Sequence, residues 1–277
     1  MSHPEAPTVS VVIPTFERPM TCERALESAL AQSEPPLEVL VCDDCSRDDT
    51  EARMRDWERR DARVRYLRTP RNSGAPAATR NLGVRHARGD WVGFLDDDDE
   101  WLEGKLAAQL LVATAGDVDV IAANALRSDG TPYFTGAMPM SNPTLWDLLE
   151  ENPIIMSSVL VRRRLLLSSS GFPTAPWTTG IDDYALWLEL AAQGVHFAIL
   201  GSPLVRYEDA DTGRLSRKRA RSQLGVARMV WSRALRRPVR ATAVRSALWR
   251  SAGVVHVLAG EMLRGARRTQ LRSRAPA

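Results

Sequence analysis

The chain has 277 residues, 44% of them hydrophobic and 26% charged, with a formal net charge of +3 and a sequence pI near 9.0. These proportions are ordinary for a soluble globular protein and leave room for one large domain, alone or with an appendage. No apolar run reaches the ~18 residues needed to cross a bilayer, and Met1 to Thr8 lacks the basic-then-apolar pattern of a secretory signal.

The three cysteines, Cys22, Cys42 and Cys45, are too few for a disulfide framework and suit a reducing compartment, so the expected location is cytoplasmic. The modest net charge hides an asymmetry. Residues 1–216 hold 21 Lys+Arg against 33 Asp+Glu, whereas residues 217–277 hold 16 against one, Glu261. An acidic body followed by a basic segment suggests a catalytic unit joined to a piece that meets a negatively charged surface.

In chain order, Thr8 to Ile13 is β-branched and bounded by Pro14, which predicts a strand. Pro14 to Pro19 reads as a loop, and Met20 to Ala31 as a helix with Ala25, Leu26, Ala29 and Leu30 on its apolar side. Thr21 is the candidate cap for that helix. Leu37 to Cys42 predicts a second strand, Asp49 to Arg60 a charged helix, and Val64 to Leu67 a short strand. Ala75 to His86 reads as helical, with Pro76 in its first turn, and Gly89 stops it.

The next stretch, Trp91-Val92-Gly93-Phe94-Leu95-Asp96-Asp97-Asp98-Asp99-Glu100-Trp101, is an apolar run that ends abruptly in five acids. Adjacent carboxylates repel one another, so fixing them at a strand end calls for exposure, protonation or a bound cation. The plain alternative is an acidic turn capping the following helix.

Further on, a helix is expected over Gly104 to Ala115, a strand over Val118 to Ala123 and a Gly/Pro-rich loop over Ser128 to Pro143. A short helix from Thr144 to Glu151 and an apolar strand from Ile154 to Val161 follow. The last elements are a helix from Asp183 or Tyr184 to Ala192 and a strand from His196 to Leu200.

The β-α-β-α-β-α-β alternation predicts an α/β fold with a mixed, mainly parallel sheet flanked by helices. Ligands of such sheets lie beyond the carboxyl ends of the strands. Three polar clusters fall at those ends, Pro14 to Glu17, Asp43 to Ser46 and Asp96 to Asp99, and their convergence marks a candidate site.

If strand geometry persists into the acidic run, Asp96 and Asp98 project to one side and Asp97 to the other. Asp99 is left as a cap for the next helix. Clustered carboxylates approach a nucleotide diphosphate only through a divalent cation, and hard oxygen ligands suit Mg²⁺ or Mn²⁺. Asp182-Asp183 is a second acidic pair, at a helix start, and reads either as a cap or as a general base aimed at a hydroxyl. Cys42 and Cys45 lack partners for a zinc site, and Asp43 and Asp44 between them disfavour a thiolate. The four histidines are scattered without metal-ligand spacing.

Over residues 8–216 the chain resembles the family 2 glycosyltransferases, which have a GT-A (Rossmann-like) fold. The resemblance is carried by Val9-Ser10-Val11-Val12-Ile13-Pro14-Thr15-Phe16, Val41-Cys42-Asp43-Asp44-Cys45-Ser46-Arg47-Asp48 and Asn72-Ser73-Gly74 with Ala78-Thr79-Arg80-Asn81. It continues through Gly89-Asp90, Phe94 to Trp101, Asn152-Pro153-Ile154, Gly171-Phe172 and Asp182-Asp183-Tyr184 with Leu186-Trp187-Leu188. It implies a nucleotide-binding half over 8–102 and an acceptor-binding half over 103–216.

By the same resemblance, Pro14, Thr15 and Glu17 line the base and ribose pocket, Asp44 meets the nucleobase and Arg80 lies near the diphosphate. Asp96, Asp97 and Asp98 form the Asp-x-Asp element, with Asp98 the direct metal ligand and Asp96 a second candidate. Asp183 matches the proposed general base, and Asp182 stands where the family often has Glu. The chain departs from the family at Arg206 to Asp211, where many relatives carry a metal-site His. Asp209 or Asp211 is the candidate oxygen ligand in its place.

The resemblance thus implies an inverting, metal-dependent transfer of a sugar from a UDP- or dTDP-sugar to a hydroxyl acceptor, a glycan or lipid-linked glycan. The rivals are a sugar-nucleotide nucleotidyltransferase, which would release pyrophosphate, and a non-catalytic basic-tail binding protein.

Residues 217–277 are expected to form a basic helical extension divided at Pro238. Val244, Leu248, Ser251, Val255, Leu258 and Met262 recur at helical spacing, flanked by arginines. This stripe either docks on an anionic membrane surface, giving peripheral attachment at the inner face of the cell membrane, or packs on the body or a second subunit. No nucleic-acid-binding module accompanies the charge.

Overall fold

A computed structural model describes residues 6–135 and 140–208 of the chain. The candidate ligands Asp209 and Asp211 and the expected basic extension 217–277 lie outside the described residues. Most of the described chain belongs to one compact unit, residues 1–174 and 182–211. The other unit combines 175–181 with 212–277, and its described part is a single 3₁₀ turn, Pro176–Thr178, with its flanks.

The first half follows the predicted alternation. Strand β1 (Val9–Thr15) is buried along all seven residues, as its continuous β-branched run requires of a strand covered on both faces. It pairs in parallel with β2 (Glu38–Asp43) and with β4 (Trp91–Phe94), and β2 pairs in parallel with β3 (Val64–Arg68).

Helices α1 (Pro19–Leu30), α2 (Thr50–Arg60) and α3 (Ala77–His86) connect them. Helix α1 buries Cys22, Ala25, Leu26 and Ala29, a three- and four-residue spacing that lays one face on the sheet. Pro19 opens it, where a missing amide costs no intrahelical bond. Arg18, not Thr21, holds the cap position.

Gly89 sits where α3 returns into β4. A Cβ there would lie 2.6 Å from the Ser10 amide nitrogen, so only glycine permits this approach of two backbones. Glu38 is wholly buried at the start of β2, but Ser10 and the Arg88 amide donate to its carboxylate and Arg65 pairs with it at 2.7 Å. A buried charge is tolerated only with such company.

The second half is less regular than predicted. The described sheet runs β3-β2-β1-β4-β8-β6-β9-β5, with β7 on β9. Strand β8 (Leu160–Arg162) is antiparallel to both β4 and β6 (Val120–Leu126), and β6 is parallel to β9 (Phe197–Arg206). The short strands β5 (Glu100–Trp101) and β7 (Met140–Ser141) pair antiparallel with β9.

The predicted strand Ile154 to Val161 is instead a 3₁₀ turn, Met156–Ser158, followed by β8. Ser157 and Ser158 form side-chain hydrogen bonds that divert that backbone from a ladder. Strand β9 is ten residues long, twice the predicted span.

Helices α4 (Lys105–Ala115), α5 (Leu145–Glu150) and α7 (Asp182–Ala192) lie near their predicted places. Helix α6 (Arg163–Ser168) was not expected. Thr144 and Asp147 form a reciprocal capping box at the start of α5.

Candidate active site

The polar clusters converge at the carboxyl ends of β1, β2 and β4. The β4 strand ends at Phe94, and Leu95 donates one further bond to Val12 O at 3.1 Å. From there Asp96 to Asp99 is a turn closed by the Asp99 amide on Asp96 O at 3.1 Å. Strand geometry therefore does not persist, and the expected alternation of side chains fails.

Asp97, expected to point away as a spacer, is the most enclosed of the first three aspartates. Its carboxylate accepts from Thr15 Oγ1 at 2.8 Å and from Arg18 Nη1 at 3.2 Å. Burial pushes its pKa up to about 7; Arg18 opposes the rise and Asp98 adds to it. Thr15 thus contacts the acidic turn directly.

Asp98 is 19% exposed and pairs with Arg18 Nη1 at 3.0 Å. Asp99 does not cap a helix, since α4 begins at Lys105 with Gly104 at its cap. Asp99 is buried, accepts from Ser157 Oγ at 2.5 Å and from the Glu208 amide at 2.9 Å, and is held well above the usual carboxylate range by burial.

Asp96 is 30% exposed and pairs with Arg80 Nη2 at 2.6 Å. Arg80 itself is buried, and its Nη1 lies 2.8 Å from Asp182 Oδ2. The guanidinium stands 5.6 Å from the Phe172 ring centroid, and its Nε has no hydrogen-bond partner. Burial alone would lower its pKa, but Asp96, Asp182 and Asp183 more than offset that and keep it charged.

Asp182 and Asp183 open α7, as predicted. Burial raises Asp182 despite Arg80, and burial together with Asp182 pushes Asp183 up to about 6. Asp183 retains some solvent exposure, while Asp182 is enclosed. The pair is therefore differentiated. Asp182 is the structural partner of Arg80, and Asp183 is the accessible carboxylate with a basicity above the ordinary.

Asp44, expected to meet the nucleobase, ties together two of the loops at the strand ends. Its two oxygens accept from the Ser73 amide at 3.0 and 2.9 Å, from Ser73 Oγ at 2.9 Å and from the Gly74 amide at 3.2 Å, holding the loop before α3 across the strand ends. Glu17 adopts a left-handed φ of 52°, with its amide donating to Ser46 Oγ at 2.8 Å. Pro14 lies within β1, buried and paired in register with Cys42.

Three residues of this cluster escaped the sequence reading. Arg18 is the lone cation in the Pro14 to Pro19 loop, a signal that was available. Ser157 and Ser158 are the only hydroxyls in the Ile154 to Val161 run, also legible in hindsight.

A divalent cation fits the donor chemistry of this turn, which offers partly exposed hard oxygens on Asp96 and Asp98. Among the described residues no three His, Cys, Asp or Glu converge into a complete cage. Arg18 and Arg80 already bring positive charge to these same carboxylates.

A family model described as Glycosyl transferase family 2 matches residues 10–165. The chain is 31% identical over 190 residues to a putative teichuronic acid biosynthesis glycosyltransferase, TuaG, of Bacillus subtilis, covering 68% of this chain and 73% of that protein. It is 29% identical over 182 residues to the Escherichia coli UDP-Glc:alpha-D-GlcNAc-diphosphoundecaprenol beta-1,3-glucosyltransferase WfgD, covering 66% and 69%.

Among solved structures, S. aureus TarS 1-349 in complex with UDP-GlcNAc superposes with a TM-score of 0.66 at 20% identity, over 80% of this chain and 66% of that one. The mannosyltransferase PcManGT of Pyrobaculum calidifontis, in complex with GDP-Man and Mn²⁺, gives 0.64 at 20% identity, over 97% and 81%. These two likenesses concern the fold. With the sheet, the converging strand ends and the family match in agreement, the chain belongs to glycosyl transferase family 2, as a glycosyltransferase of GT-A fold.

Proposed function

We propose that the protein transfers a sugar, with inversion, from a UDP-sugar to a hydroxyl of a glycan or lipid-linked glycan, in the presence of Mg²⁺ or Mn²⁺. One observation carries this reading. Arg80 brings the acidic turn at the strand ends and the acidic pair of α7 onto the two nitrogens of one guanidinium, at 2.6 and 2.8 Å. A donor-binding carboxylate cluster and a raised-pKa carboxylate are thereby neighbours, as direct displacement at a sugar carbon requires.

UDP is favoured as the donor nucleotide because WfgD is named for UDP-Glc and TarS is described with UDP-GlcNAc. A lipid-linked acceptor is favoured because WfgD is named for a diphosphoundecaprenol substrate.

In the proposed reaction Asp183 takes the proton of the acceptor hydroxyl as its oxygen attacks the anomeric carbon. The bond from that carbon to the β-phosphate oxygen breaks, and UDP leaves on the opposite face. The cation, held by Asp98 with Asp96 nearby, would offset the negative charge developing on the departing diphosphate. Arg80 holds Asp182, so that the second carboxylate of the pair stays oriented while Asp183 works. Thr15 and Arg18 hold Asp97 and so shape the floor of the donor site.

The domain division follows the same reading, with a transferase unit over 8–216 and a basic extension over 217–277 that meets anionic lipid. Co-sedimentation with anionic liposomes, with and without residues 217–277, tests the extension, and equal binding by both forms removes the membrane role.

The experiment for the reaction is a thermal-shift panel of UDP-, dTDP- and GDP-sugars with Mn²⁺ and with EDTA, followed by product analysis with lipid-linked acceptors. A Mn²⁺-dependent stabilisation by UDP-sugars and release of UDP support the reading. Release of pyrophosphate would instead indicate nucleotidyl transfer.

A further inference from the structure

The acidic turn is not held by its own strand. Among the described residues no ladder bond reaches it beyond Leu95, and side chains together with the Glu208 amide bind it. The hydroxyl of Ser157 bonds both ends of the turn. It accepts from the Asp96 amide at 3.0 Å and donates to Asp99 Oδ2 at 2.5 Å.

Ser157 is itself seated in a buried polar strut. Its carbonyl accepts from Trp101 Nε1 at 2.7 Å. The carbonyl of Ser158 accepts from Gln109 Nε2 at 2.8 Å, and the same nitrogen reaches Ile121 O at 3.0 Å. Gln109 Oε1 accepts from Lys105 Nζ at 2.7 Å, and that wholly buried amine, held well below its usual pKa by burial, lies 3.8 Å from the Trp101 ring centroid.

We infer that Ser157 is a positioning residue for the donor site, locking the Asp96–Asp99 turn in the shape that presents Asp96 and Asp98. This rests on the donor reading given above. A fully satisfied polar network in a low-dielectric interior specifies one arrangement, because any displacement strands a donor or acceptor without water. The network also bonds the edge of β6, at Ile121 O and the Ala123 amide. Its beam runs from α4 through the 3₁₀ turn to the aspartates, and its last link is the Ser157 hydroxyl.

Ser158 supplies an internal control. It is equally buried in the same turn, and its hydroxyl bonds the Ala123 amide and Ile155 O but neither end of the acidic turn. Three variants, Ser157→Ala, Ser157→Thr and Ser158→Ala, are compared in the full chain by hydrogen exchange of peptides spanning 95–100. UDP affinity is measured alongside, in Mn²⁺ and in EDTA.

Loss of a buried hydroxyl bridge predicts exchange faster by about tenfold in Ser157→Ala and little changed in Ser158→Ala. The tightening of UDP by Mn²⁺ falls by about tenfold in Ser157→Ala, with affinity in EDTA nearly unchanged, and Ser157→Thr recovers both. Equal exchange in the two alanine variants, or faster exchange with an intact Mn²⁺ effect, overturns the inference. Should Ser157→Ala fail to fold, Ser157→Cys keeps the volume with a weaker hydrogen bond and shows the same changes at smaller size. Wild-type protein that binds no UDP overturns the donor reading, whereas the exchange comparison still decides whether Ser157 holds the turn.

Discussion

Arg80 and Asp182 stand 102 positions apart in the chain and 2.8 Å apart in space. The contact fastens α3 to the start of α7, and the other guanidinium nitrogen carries the fastening on to Asp96. Removing the cation leaves enclosed carboxylates without compensation, a change that costs about 3–5 kcal/mol at buried ion pairs. Arg80→Gln is expected to lose thermal stability on that scale and transfer activity with it. Arg80→Lys recovers little, since a single ammonium does not reproduce a planar fork spanning two acids. Calorimetry and initial rates on the same preparations check this.

Asp183 carries the pH dependence of the proposed reaction. Its carboxyl is pushed up to about 6 by burial and by Asp182, and it acts as a base only when ionised. The rate therefore rises with pH through about 6, above the usual carboxylate range near 4. Asp183→Asn is expected to lower kcat by about 10²–10⁴-fold, with Tm and UDP affinity close to wild type. A pH profile of kcat that stays flat between 5 and 8 would sink the assignment.

Asp98 is the cation's principal ligand in the proposed site. Asp98→Ala is expected to abolish the difference between UDP affinity in Mn²⁺ and in EDTA, a loss of about tenfold or more on the mutational scale for a charge-assisted contact. Titration of UDP into both proteins under both conditions reads this directly. An undiminished Mn²⁺ effect would move the ligand elsewhere in the turn.

The enclosed carboxyls of the site should lower stability as pH rises, against the opposite contribution of Lys105, whose amine is held by burial well below its usual range. Asp97, Asp99, Asp182 and Asp183 all have carboxyls raised in the fold, chiefly by burial. A raised carboxyl binds its proton more tightly folded than unfolded, so its contribution is present below the unfolded pKa. That contribution fades as pH climbs from about 4 through the raised values, about 7 at Asp97. The melting temperature is expected to drop by about 5 °C or more between pH 5 and pH 8 without divalent cation. Mn²⁺ at pH 8 should restore part of it, by neutralising the same carboxylates. Melting curves across that range, with and without Mn²⁺, provide the check.

The first half of the fold was legible because each element announces itself locally. Val9 to Ile13 and Val39 to Cys42 are continuous apolar runs, and α1 shows its face at helical spacing. Strand ends then locate the site without any knowledge of contacts. The second half was less readable because its decisive interactions are non-local.

Ser157 sits in a run as apolar as a strand, yet its hydroxyl is committed to Asp96 and Asp99 some sixty positions earlier. The orientation of Asp97 and the capping expected of Asp99 failed for the same reason. Period-two alternation presumes a ladder, and the ladder stops at Phe94. Which of four consecutive aspartates is enclosed depends on Thr15, Arg18, Arg80 and Ser157, none of them adjacent to the turn in sequence.

The bond from the Glu208 amide to Asp99 sets a boundary on how the chain may be shortened. Cleavage after Arg206 would spare the pairings of the described strands but take the bond from the Tyr207 amide to Leu126 O. The acidic turn would also lose a donor two residues later. A truncation that stops short of Glu208 thus reaches the acidic turn without removing any residue of it.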